Sequence, residues 1–120
     1  RAWQPAVLWT SESYDTTLVR EEVLQCVYRV VHVQRHGPPR TLGEMLAQES
    51  YAMRGAGSMA PRLETDDLSY TRVVLREYMG ATDRATLIAA LFGDAAAREP
   101  GYEPVRLSPR AGLAVAAAGL

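Results

Sequence analysis

The chain has 120 residues and a mass of 13.2 kDa, enough for one hydrophobic core and too little for two independent ones. Hydrophobic residues make up 48% and charged residues 22%, a globular balance that excludes a disordered or fibrous chain. All 13 basic residues are arginine, and they face 14 acidic ones for a formal charge of −1; that sets aside a broad nucleic-acid surface, which draws on a clear positive excess.

Residues 1–13 carry Trp3 and Trp9 around Pro5 with no helical period, and they read as an extended arm that lays two indoles on the body. Tyr14 to Thr17 offers hydroxyl and carboxylate caps. From there Val23, Val27, Val30 and Gln34 recur at helical spacing, joined by Leu24 and Val31, and predict a helix with that side in the core. Glu21 and Glu22 lie early, His32, Arg35 and His36 late, as the helix dipole prefers, and Gly37-Pro38-Pro39 stops the segment. A strand over Cys26 to Val33 competes, because five of the residues from Val23 to Val33 are valine and β-branched residues favour sheets. Length, caps and charge placement favour the helix.

Thr41-Leu42-Gly43-Glu44 has the spacing of a capping box and opens a second helix through Met45, Leu46, Glu49, Ala52 and Met53, closed at Gly55-Ala56-Gly57-Ser58. A third opens at Thr65-Asp66-Asp67, places Leu68, Thr71, Val74, Leu75 and Tyr78 on one side, and ends at Gly80. Asp83 starts a fourth, with Leu87, Ile88, Leu91, Phe92 and Ala95 on one stripe. Short links turn neighbouring helices back on each other. The expectation is therefore all-α: a single domain over 1–120 built as a small antiparallel bundle of three to four helices, with an extended arm at 1–13, a helical core at 14–99 and an irregular C-terminal tail at 100–120. No apolar run approaches the roughly 20 residues of a membrane-spanning helix, so no membrane span is expected. The chain begins at Arg1 and reads as a fragment or processed chain.

Candidate chemistry is sparse. Cys26 is a lone cysteine in an apolar setting, a small buried hydrophobe. His32 and His36 stack four apart on one helix face, as metal-binding histidines do, but no third ligand accompanies them; two solvated histidines near a helix end is the plainer reading. Arg54 to Met59, "RGAGSM", matches neither phosphate-binding glycine pattern. No serine lies on a nucleophile elbow. Asp66 and Asp67 look like capping charges. Leu75 to Asp94 has the outline of a helix-turn-helix, yet its second helix leads with Asp83 and Arg84 and then turns apolar, which suits base edges poorly.

Val23-Leu24 followed by Cys26-Val27-Tyr28-Arg29 and then Arg35 resembles the start of the mitochondrial LYR-motif accessory and assembly proteins, with Val27-Tyr28-Arg29 in place of the Leu-Tyr-Arg triplet. Tyr70 to Asp94 is similar to that family's later block, with Tyr78 at the phenylalanine position. The resemblance implies a non-enzymatic subunit of a mitochondrial complex that binds an acyl carrier protein. It implies no cofactor of the chain's own, only the acyl-phosphopantetheine carried by that partner. Arg29 and Arg35 would meet acidic groups or phosphate, Tyr28 would stand at the mouth of the bundle, and Val27 and Tyr78 would line the apolar path. Two other readings stand beside it: a small bacterial or viral regulatory domain that self-associates through an apolar helix face, and a small-molecule enzyme using His32, His36 or Tyr28. Location is mitochondrial under the resemblance and cytoplasmic otherwise.

Overall fold

Residues 16–57 and 62–119 are described by the computed structural model. The expected arm over 1–13, and the caps at Tyr14 and Asp15, lie outside the described residues. Six helices follow in order: α1 Thr16–His36, α2 Leu42–Ala56, α3 Thr65–Arg76, α4 Arg84–Phe92, α5 Asp94–Arg98 and α6 Ala111–Ala118. The fold is all-α, and Cys26 to Val33 is helix.

Local signals explain most of the boundaries. α1 ends where Gly37 turns to φ 80 and donates its N–H to the Val33 carbonyl at 2.7 Å. Arg35 and His36 occupy its last turn, where the helix dipole favours positive charge. At α2 the capping box forms as expected: the Thr41 side chain accepts from the Glu44 N–H and the Glu44 carboxylate accepts from the Thr41 N–H. Two further N–H groups of that first turn, from Leu42 and Gly43, donate to the carbonyls of Ala81 and Met79, both at 3.0 Å. This ties α2 to the turn after α3 and satisfies donors that a helix start leaves open. Gly57 closes α2 in the left-handed conformation, φ 64, and Asp83 caps α4 by accepting from the Thr86 N–H at 2.9 Å.

Three expectations need correction. The stripe expected to run unbroken through Leu91, Phe92 and Ala95 stops at Gly93, so Phe92 is exposed and α5 sets off separately. Gly93 has φ 93, and a Cβ there would collide with the backbone of Ser108 and Pro109; the break lets the returning chain pass close by. Asp94 then clasps that chain, its N–H donating to the Leu107 carbonyl at 3.0 Å and its carboxylate accepting from the Leu107 N–H at 2.8 Å.

The tail over 100–120 is not simply irregular: it ends in α6, and the six residues from Ala111 to Ala116 are all buried. α6 packs against α2, α3 and α4, so the described residues form six helices, of which three gather around this short one, in place of a bundle of three or four. A helix apolar on every side has no stripe, and a search for helical periodicity finds nothing in it.

The third correction concerns α1. Its valines at 23, 27 and 30 were expected in the core, yet they are exposed by 49, 52 and 38%, and Val19 by 42%. The core is built from Leu42, Leu46, Met53, Leu75, Leu87, Leu91, Leu107, Leu113 and Val115 with the α6 alanines; α1 contributes none of these.

Candidate functional site

α1 meets α2 through its polar and aromatic side. The Arg29 guanidinium donates from Nε and one Nη to the two oxygens of Glu49, both at 2.8 Å, and from the same Nη to Gln25 Oε1 at 3.0 Å. The two charged side chains keep only 20 and 16% of their exposure. Burial pulls the Arg29 pKa down, but the hydrogen bond and charge of Glu49 outweigh it and hold the group above the usual arginine value. One step along the helix, the Tyr28 ring lies against Gly55, where an added Cβ would stand 2.7 Å from ring carbons. Tyr28 also meets Tyr51 edge-on, with ring centroids 5.6 Å apart.

Turned the other way, α1 presents Val19, Val23, Val27 and Val30. About three turns of helix carry this stripe over about 16 Å. Arg20, beside Val19, and Arg35, beyond the far end of the stripe, are both exposed. The amphipathic helix is thus placed with its polar face inward and its apolar face outward.

Between α1 and α2 an open cleft of about 680 Å³ is lined by His32, His36, Ala47, Ser50, Tyr51, Arg54, Gly55 and Gly119. His32 and His36 stand with ring centroids 4.6 Å apart, and Tyr51 lies 5.6 Å from His32. Burial first, and the neighbouring His36 second, lower the His32 pKa below its usual value; its Nδ1 is buried with no hydrogen-bond partner, as is Gln48 Oε1. Among the described residues no three of His, Cys, Asp and Glu gather as a metal site. A second hollow, about 160 Å³, lies between Leu46, Leu75, Met79 and Val115, with Arg72 and Arg76 at its edge. Arg72 is partly committed there, donating to the Gly119 carbonyl at 3.0 Å.

The residues expected at a partner site therefore separate. Val27 lies on the outward stripe, and Arg35 is exposed beyond its end. Tyr28 and Arg29 sit in the seam with α2. Tyr78 packs on the core after α3. His36 is exposed as expected, while His32 is half-buried. Tyr51 was not among the sequence candidates, and Ser50 and Arg54 were weighed only as a nucleophile and as the start of a glycine-rich loop, although with Ala47 the three follow the i, i+3, i+4, i+7 spacing of one helix face.

No protein-family model matches this chain, and no solved structure matches it. It is 31% identical over 74 residues to the uncharacterized protein YjfC of Bacillus subtilis, an alignment that covers 62% of this chain and 25% of that protein. The chain thus spans about a quarter of the length of the relative it matches. No helix of the described residues is long and apolar enough to cross a membrane.

Proposed function

We propose that this chain is a non-enzymatic accessory module that works through protein contacts, and that the outward face of α1 is where a partner docks. The partner chemistry that fits is an amphipathic helix, apolar along its centre and acidic on one edge. The observation that carries this reading is the inverted placement of α1. Four valines of a 21-residue helix face water while polar groups fill the seam, an arrangement that leaves hydrophobic free energy unclaimed until something covers the stripe. Arg20 and Arg35 supply the charge complement to an acidic edge, which steers the encounter and sets the register.

An acyl carrier protein is the specific partner implied by the resemblance to LYR-motif proteins, and the exposure of Val27 and Arg35 supports assigning them to that contact. Arg29 supports the surface from behind by holding α1 on α2. The test is native mass spectrometry of the protein purified gently from its source, alongside Val27→Asp and Arg35→Glu. A stoichiometric acidic companion, lost in both variants while far-UV circular dichroism stays unchanged, supports the module; phosphopantetheine on that companion supports the carrier version. A bare monomer, or a homodimer that survives Val27→Asp, rejects the reading.

A further inference from the structure

We propose that the cleft between α1 and α2 binds a phosphate monoester, held by His32, His36, Ser50, Tyr51 and Arg54. This site lies on the side of α1 opposite the valine stripe and does not depend on the docking reading.

Every polar side chain of the lining is able to donate. Two imidazoles, two hydroxyls and one guanidinium border the space, and no carboxylate is among them. The carboxylate on the α1 side of α2, Glu49, is already held by Arg29 at 2.8 Å. α6 reaches the cleft only through the backbone of Gly119, whose carbonyl accepts from Arg72. An unopposed set of donors is suited to an anion.

The geometry narrows the class. With the His32 and His36 centroids 4.6 Å apart, both rings can point at one group, and Arg54 comes from the facing helix. A tetrahedral phosphate offers oxygens in three directions and can take all three donors at once, whereas a carboxylate presents two oxygens in one plane. The roughly 680 Å³ of space exceeds what a lone ion fills. Tyr51 provides an aromatic surface for the organic part of an ester.

Charge sets the pH window. The groups facing His32 are His36 on its own helix and Tyr51 and Arg54 on α2. A phosphate monoester gains its second charge near pH 6, and burial together with His36 holds His32 below its ordinary value. Binding should therefore weaken as pH rises and His32 loses its charge, and weaken again as pH falls and the phosphate loses its second charge. A bound dianion offsets the burial that disfavours charged His32, so its pKa should rise on binding.

The experiment is an NMR titration of the whole chain at constant ionic strength, following the His32 and His36 imidazole carbon-bound protons, with inorganic phosphate in one arm and phenyl phosphate in the other. The expected result is saturable shifts at both rings, an upward move of the His32 titration midpoint, and affinity at least about tenfold weaker in Arg54→Gln, the loss of one charge-assisted contact. Arg54→Lys should recover part of it. Arg84→Gln, exposed on α4, should match the parent chain. Tighter binding of phenyl phosphate assigns the site to a phosphorylated organic molecule, and equal binding assigns it to free phosphate. Shifts that grow without saturating, that sodium chloride reproduces, or that persist in Arg54→Gln overturn the proposal.

Discussion

Glu49 holds Arg29 with two 2.8 Å bonds where water has been largely removed from both partners, so each charge depends on the other. Breaking such a pair from one side leaves an uncompensated charge, which costs more than the pair's net worth. Glu49→Gln should lower unfolding stability by about 1–3 kcal/mol in a urea titration, allowing for the residual solvent contact. The double variant Arg29→Met with Glu49→Leu should recover most of that loss, because two apolar side chains of similar reach can fill the seam. If the double variant proved as unstable as the single one, packing and not charge would govern position 29. Arg29 was legible in the sequence as a charged residue on a helix and not as half of a pair. Its partner lies 20 residues away, and nothing local in the sequence links the two.

At the scale of elements, α1 differs from the rest: it packs on α2, and Cys26 is its one buried residue. Local stability follows buried apolar contact, so α1 amides should exchange with deuterium faster than those of α2 or α6. The seam should also respond to pH. His32 has a folded pKa below its ordinary value, so the unfolded state binds a proton more readily. Its contribution is fully present above the unfolded value near 6.5 and is lost as pH falls through the lower folded value. Protection of α1, corrected for intrinsic exchange, should therefore drop between pH 7.5 and 5.5, and His32→Gln should flatten the change. Glu44 and Asp83 are held below the usual carboxylate range, Glu44 by backbone N–H groups of Arg40 and Thr41 and Asp83 by Thr86. They act only at more acidic pH and do not confuse this window. The C-terminal end of α1, both ends of α2 and the start of α4 were readable because caps and left-handed glycines act within a turn. Which face of α1 turns inward was not, since hydrophobic periodicity marks an apolar side and assumes that the same chain buries it.

For the whole molecule, the deciding element is α6, whose sequence "AGLAVAAA" carries no amphipathic signature. Its apolar character on all sides, bounded by Pro109 and Gly119, is itself the mark of a fully buried helix, and that mark was present but outweighed by the prolines and glycines ahead of it. Small side chains let three helices approach one axis, and Gly112 makes the tightest approach. A Cβ there would strike the Ala90 carbonyl oxygen and stand 2.8 Å from the Leu91 Cα. In an open helix, Gly→Ala gains about 1 kcal/mol. Here the obstacle is the backbone of α4, which cannot rotate aside as the Tyr28 ring beside Gly55 can, and overpacking of this kind costs about 1–3 kcal/mol or more. Gly112→Ala should therefore destabilise on balance and lower the melting temperature by about 5–15 °C for a domain of this size. Gly55→Ala should cost less. Because α6 touches α2, α3 and α4 together, the Gly112→Ala loss should appear as one cooperative shift in all core helices, whereas Val27→Asp should leave the melting curve unchanged. A Gly112→Ala protein that melted like the parent would mean that α6 does not sit this close to α4, and the chain would then need a different centre.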